Sequence, residues 1–233
     1  LLQFPSLVIF DMDGLMFNTE RLTDTAWNLA AEHYGFSIDQ SIITRFTGLT
    51  DSDIVKKMAE IYGAGSPVRQ WREYVLKMKQ QLIEKNMHLP SFKKKGLDKL
   101  LVYLKANDVK TAVASSSKKA TIDRFLTATH VIDLIDYRIS GDEVTNGKPD
   151  PEIFLRSCKA ADSRNDHALV LEDSPAGILA ANRAGIAAIF IPDTIPENQE
   201  VDRLATKVMR DLEDVRDLLE SIRLHRTENP RKQ

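Results

Sequence analysis

Two aspartates two positions apart, Asp11 and Asp13, follow the apolar run at residues 7–10 and are succeeded at once by Gly14. An extended backbone sends alternate side chains the same way, so both carboxylates can face one bound group, and the glycine permits a sharp departure. From this segment alone, an ordinary Asp-Gly turn reads equally well. Two more strand-like runs end in comparable chemistry. Residues 111–114 lead into Ser115, Ser116 and Ser117, and residues 168–171 lead into Glu172 and Asp173. Ligands of open parallel sheets bind at the carboxyl ends of the strands, so groups far apart in sequence are expected to converge on one crevice. Four carboxylates there would repel one another unless a cation sat among them, and hard oxygen donors suit Mg2+. Helix capping ahead of Ser174 and Pro175 is the plainer reading of Glu172 and Asp173 taken by themselves.

A cation and a set of donors complete the inventory. Lys148 stands in Lys148-Pro149-Asp150-Pro151, a loop stiffened by two prolines, with Pro151 suited to the first position of a helix. A fixed ammonium beside acidic residues makes sense if a phosphoryl group arrives there, because charge stabilisation is the main task in phosphoryl transfer. Without the other motifs, an exposed structural lysine explains it as well. Ser115 and Ser116 offer hydroxyl and backbone N–H donors where a strand gives way to a helix, a natural phosphate cradle, although serine-rich turns of this kind are common.

The elements that must position these residues are legible from periodicity. Branched apolar runs at 7–10, 111–114, 168–171 and 187–191 read as buried strands, with a weaker one at 137–140 near a sheet edge. Helical patterns at 96–106, 118–127, 151–160 and 174–184 alternate with the later strands. The last has Ser174 as N-cap, Pro175 at its first position and Gly185 just past its end. Such alternation implies an α/β fold with a Rossmann-like parallel-sheet core. Residues 19–86 break the rhythm with four helical segments, at about 19–34, 38–46, 51–62 and 67–86, and no convincing strand. The expected organisation is a catalytic core of residues 1–16 and 91–223, an all-helical insertion at 17–90, and a polar tail at 224–233. Lys93, Lys94 and Lys95 form a charge run at the return crossing, expected to be a solvated linker face.

Composition excludes several function classes. Hydrophobic residues make up 42% and charged residues 28% of the 233, an ordinary globular balance that argues against disorder. With 32 Lys plus Arg against 34 Asp plus Glu, no basic excess marks a nucleic-acid partner. The first ten residues are too short for a membrane span and lack the basic start of a signal peptide. The single cysteine, Cys158, cannot form an intramolecular disulfide, so a reducing, cytoplasmic setting is expected, with Cys158 in the core. The five histidines show no metal-ligand spacing. Trp27 and Trp71 sit at helical spacing from other apolar residues and are expected to pack inside the insertion.

Together these motifs resemble the haloacid dehalogenase superfamily, in the subgroup with a small helical cap that includes beta-phosphoglucomutases and sugar-phosphate phosphatases. The likeness spans nearly the whole chain and rests on Phe10-Asp11-Met12-Asp13-Gly14, Val113-Ala114-Ser115-Ser116, Gly147-Lys148-Pro149-Asp150-Pro151 and Leu171-Glu172-Asp173-Ser174, in that order. The resemblance implies Asp11 as nucleophile and Asp13 as general acid and base. It implies Mg2+ held by the Asp11 carboxylate, the Asp13 carbonyl and the Asp173 carboxylate, with Glu172 supporting that shell. Ser115, the Ser116 backbone and Lys148 would bind the transferring phosphate. The expected activity is hydrolysis of a small phosphorylated metabolite, a sugar or polyol phosphate, by a monomer, with a dimer as the alternative.

The nearest rival is a phosphomutase. Beta-phosphoglucomutases place a histidine ten residues after the acid/base Asp and an arginine in a cap loop. Here the positions hold Thr23 and, after Gly48-Leu49-Thr50, Asp51, whose charge would repel a second phosphate. Arg45, Arg72 and Lys77 are the cations that could compensate. Hydrolytic dehalogenation needs neither a metal nor the second Asp. A phospho-accepting signalling receiver orders its motifs differently and has no helical insertion, and a binding-only pseudoenzyme would not keep every catalytic position filled.

Overall fold

The strand at Leu7–Phe10 (β1) is buried on both faces. That is why its sequence, LVIF, shows no alternation: a parallel strand covered above and below needs apolar side chains at every position. In the computed structural model, which describes residues 2–46, 49, 51–194 and 199–228, β1 lies within a parallel six-stranded sheet. The other strands are β2 (Lys110–Ser115), β3 (Tyr137–Ser140), β4 (Ala168–Glu172), β5 (Ala187–Phe190) and β6 (Lys207–Val208), in the order β3-β2-β1-β4-β5-β6. The winding reverses between β1 and β4. Their register pairs Phe10 with Leu171, and Phe10 with Val113 on the other side. Asp11, Ala114 and Glu172 therefore follow at the same level, and the Asp11 N–H still donates to the Leu171 carbonyl at 3.0 Å.

Helices of the sheet unit are α5 (Leu97–Ala106), α6 (Lys119–Ala128), α7 (Glu152–Ala160), α8 (Pro175–Arg183), α9 (Gln199–Leu204) and α10 (Leu212–Glu228). The start of α8 follows its sequence signals: Ser174 accepts from the Gly177 N–H at 3.1 Å, Pro175 occupies the first turn, and Gly185 ends the run at φ 69°. One core cluster joins Leu7 and Ile9 of β1 to Phe154 and Cys158 of α7 and Ile178 of α8. No helix among the described residues is long and apolar enough to cross a membrane.

Residues Asn18–Phe92 form a second compact unit, the rest of the chain forming the first. Its helices are α1 (Thr19–Tyr34), α2 (Gln40–Thr44), α3 (Asp51–Tyr62) and α4 (Val68–Asn86). Trp27, Phe46, Met58, Trp71 and Val75 build its own core, with Phe36 stacked on Trp71 at 4.2 Å. Asp39 caps α2 by accepting the Ile42 N–H at 3.0 Å.

Three expectations change. The polar tail does not begin at residue 224: α10, anchored by the buried Leu212, Val215 and Leu219, continues to Glu228. Residues 229–233 lie outside the described residues. The lysine run is only partly a solvated face: the Lys95 side chain is 67% exposed, against 23% for Lys93 and 15% for Lys94. Lys93 pairs with Asp98 at 2.6 Å, Lys94 with the buried Asp193 at 2.6 Å, and Lys95 with Asp211 at 2.7 Å, so each lysine ties the return crossing to a different part of the sheet unit. Finally, α9 and the two-residue edge strand β6 were not anticipated, since an exposed Lys-Val pair has no pattern to recognise.

Candidate active site

Every candidate residue named from the motifs belongs to the sheet unit, at or just beyond the carboxyl ends of β1, β2 and β4 or, for Lys148, on the loop before α7. The winding reverses between β1 and β4, and the carboxyl ends of strands at such a reversal are the usual ligand position in doubly wound sheets. Asp11, Ser115, Glu172 and Asp173 are buried, Asp13 and Lys148 are half-buried, and Ser116 is exposed.

Lys148 is the centre of the arrangement. Its ammonium donates to Asp11 Oδ1 at 2.5 Å, to Glu172 Oε1 at 2.7 Å and to the Ala114 carbonyl at 3.0 Å, which uses all three of its protons. Three strand ends are thus bridged by one side chain. Burial works against the charged ammonium, but Asp11 and Glu172 outweigh it and hold its pKa above the ordinary lysine range. Burial is also the main influence on Asp11 and pushes its carboxyl up to about 8, with Glu172 and Asp13 acting the same way and Lys148 opposing them. Asp11 is thus reluctant to ionise first because it is buried and then because Glu172 and Asp13 repel its charge.

The second carboxylate oxygen of Glu172 is also engaged. Oε2 accepts the Ser174 N–H at 2.9 Å and the Ser174 hydroxyl at 2.8 Å. Glu172 thereby joins Lys148 on one side to the capped start of α8 on the other. The loop after β2 is ordered from within: the Ser117 N–H donates to Ser115 Oγ at 3.1 Å, and the Ser117 hydroxyl donates to Asp13 Oδ2 at 2.9 Å. Ser117 received no role from the motifs, although the triple serine itself was the available signal.

The donor set fits a hard divalent cation. Asp11 and Asp173 present buried carboxylates at neighbouring strand ends, and Asp11, Asp13, Glu172 and Asp173 together outnumber the one ammonium of Lys148. Oxygen donors with a negative surplus are what Mg2+ selects. Glu172 has both oxygens engaged, Oε1 by Lys148 and Oε2 by Ser174. Among the described residues no three His, Cys, Asp or Glu side chains are grouped as they would be around a bound metal ion.

In the helical unit, Asp51 is not the bare negative charge that its sequence position suggested. Arg72 donates to Asp51 Oδ1 from Nε at 3.1 Å and from Nη2 at 2.6 Å, and its guanidinium lies 5.4 Å from the centre of the Trp27 ring. The preceding Gly48 and Thr50 lie outside the described residues. Thr23 donates its hydroxyl to the Thr19 carbonyl at 3.0 Å, one turn back along α1. His33 stacks on Tyr74 at 4.5 Å.

The model of the family described as haloacid dehalogenase-like hydrolase matches residues 8–191. A Drosophila melanogaster protein named "Probable pseudouridine-5'-phosphatase" is 34% identical over 216 residues, covering 88% of this chain and 89% of its own. A Thermotoga maritima protein named "Phosphorylated carbohydrates phosphatase" is 28% identical over 183 residues, covering 78% and 83%. The solved structure of a beta-phosphoglucomutase from Clostridium difficile superposes with a TM-score of 0.72 over 96% of this chain and 99% of that one. At 23% identity it speaks to fold alone.

Proposed function

This chain belongs to the haloacid dehalogenase-like hydrolases, and from that premise we propose that it is a Mg2+-dependent phosphatase. Its substrate is a small phosphomonoester, a sugar or polyol phosphate, and Asp11 carries the phosphoryl group in transit. The observation that carries this reading is Lys148, a shielded cation held between Asp11 and Glu172 where β1 and β4 part. An ammonium so placed neutralises charge on a phosphoryl group as Asp11 attacks it. The names of two similar proteins, both phosphatases, agree with it.

In this mechanism an Asp11 carboxylate oxygen forms a bond to phosphorus while the bond to the departing sugar oxygen breaks, and Asp13 gives that oxygen its proton. Asp13 then takes a proton from water as the water attacks phosphorus, which frees Asp11 and releases inorganic phosphate. The Ser115 hydroxyl and the Ser116 N–H hold the phosphoryl oxygens, joined by Lys148 once it exchanges one of its three present acceptors for the substrate. Mg2+ bound by the Asp11 and Asp173 carboxylates and the Asp13 carbonyl would offset the repulsion between nucleophile and phosphate. We read Asn18–Phe92 as the part that selects among substrates, and the protein as a cytoplasmic monomer.

A phosphomutase is the second reading, and the Asp51–Arg72 pair is the observation that keeps it in play, since the pairing cancels the negative charge that argued against it. Thr23 still argues for hydrolysis, because a hydroxyl cannot replace the proton chemistry of an imidazole at that position. Supplying beta-glucose 1-phosphate with a trace of the 1,6-bisphosphate and Mg2+, beside a panel of sugar and polyol monophosphates, separates the two. Free phosphate from a monoester with little isomerisation is expected. Formation of glucose 6-phosphate far outrunning phosphate release would overturn the assignment.

A further inference from the structure

We infer that Ser117 is a positioning residue for the acid/base step, its hydroxyl fixing the orientation of the Asp13 carboxylate; the inference rests on the role assigned to Asp13 above. Ser117 stands one residue before Lys118, the N-cap of α6, whose side chain makes no capping hydrogen bond. The Ser117 hydroxyl donates to Asp13 Oδ2 at 2.9 Å, and at the start of α6 Asp142 Oδ1, from the loop after β3, accepts the Lys119 N–H at 3.2 Å. The hydroxyl thus serves the carboxylate and not the helix.

The backbone of Ser117 is held on both sides, so the hydroxyl arrives at one place. Its N–H donates to Ser115 Oγ at 3.1 Å, and its carbonyl accepts the Gly141 N–H at 3.0 Å. Gly141 fits closely: a Cβ there would lie 2.2 Å from the Ser116 carbonyl oxygen. The turn that carries Gly141 and Asp142 is locked by Glu143, whose Oε2 accepts the Ser140 N–H at 2.9 Å and the Ser140 hydroxyl at 2.6 Å. A chain of short contacts thus runs from the end of β3 through the loop after β2 to Asp13. With Oδ2 fixed by Ser117, Oδ1 is the oxygen turned to proton transfer. A general acid and base must lie within hydrogen-bond reach of its proton, and misplacement is costly in rate.

The test measures kcat on para-nitrophenyl phosphate and inhibition by inorganic phosphate, both with Mg2+, together with thermal midpoints. Ser117→Ala keeps the N–H and the carbonyl and removes only the hydroxyl. Expected is a fall in kcat of about tenfold, less than the loss of the acid/base group itself, with the phosphate inhibition constant and midpoint nearly unchanged. Ser117→Thr, which keeps a hydroxyl, should recover most of the rate. Added to Asp13→Asn, Ser117→Ala should cost nothing further, because its partner is already gone. Wild-type kcat in Ser117→Ala overturns the inference. So do losses of rate and phosphate affinity in step without rescue by threonine, and losses that multiply with those of Asp13→Asn. Wild-type kcat in Asp13→Asn overturns the mechanism above and this inference with it, whereas a dead Asp13→Asn beside a fully active Ser117→Ala removes this inference alone.

Discussion

A Cβ placed on Gly177 would stand 1.8 Å from Oε1 of Glu172, the oxygen that accepts from Lys148. The first turn of α8 therefore lies against the buried carboxylate with no room for even a methyl group. Gly177→Ala sets two effects in opposition: alanine in a helix gains roughly 1 kcal/mol over glycine, while crowding a close-packed interior costs about 1 to 3 kcal/mol. The displaced atom belongs to Glu172, and Lys148 moves with it, so the clash should win. The variant is expected to melt lower than wild type and to lose turnover by on the order of a hundredfold, the scale of a misplaced catalytic group. A folded Gly177→Ala protein with wild-type kcat would show that Glu172 can relax without disturbing Lys148.

Asp11→Asn should abolish turnover, since an amide is a poor nucleophile and removes a metal-binding charge. The proposed Mg2+ site exists only in the folded chain, so Mg2+ should raise the thermal midpoint of the wild type. That shift should shrink in Asp11→Asn and in Asp173→Asn, measured by calorimetry with and without a chelator. An equal Mg2+ shift in all three proteins would remove these carboxylates from the metal site.

Glu143 titrates below its ordinary value of 4.5, chiefly because the Ser140 hydroxyl and then the Ser140 N–H donate to its carboxylate. A folded pKa lower than the unfolded one means stability that is present above about 4.5 and is lost as pH falls through the lower, folded value. Glu143→Gln should thus unfold at lower urea than wild type at neutral pH, and the gap should narrow as the pH is taken below 4.5. A gap that stays constant down to acid pH would mean that the carboxylate charge contributes nothing to the turn.

Cys158 is 2% exposed, and burial pushes its thiol up to about 11. The thiolate is the reactive form, so the native protein should resist iodoacetamide at pH 8 and be alkylated rapidly once unfolded in urea. Mass spectrometry of the two samples reads this directly. Fast alkylation of the native protein would place Cys158 outside the core cluster formed with Phe154 and Ile178.

What the sequence by itself determined is what local physics imposes. A strand buried on both faces must be apolar throughout, as β1 is, and a helix that starts in water needs its first N–H groups satisfied, as Ser174 and Pro175 announce for α8. The same rules placed Asp11, Ser115 and Glu172 at strand ends. Where the local signal weakens, as in β6, the expectation failed, because pairing with β5 supplies structure that periodicity does not mark. Only the tertiary structure decided which groups meet. Lys148 reaches Asp11 across 137 residues, Ser117 reaches Asp13 across 104, and Arg72 cancels Asp51 across 21. These pairings follow from sheet order, strand register and helix packing, which are set by the sum of many burial contacts, so no short stretch of residues contains them.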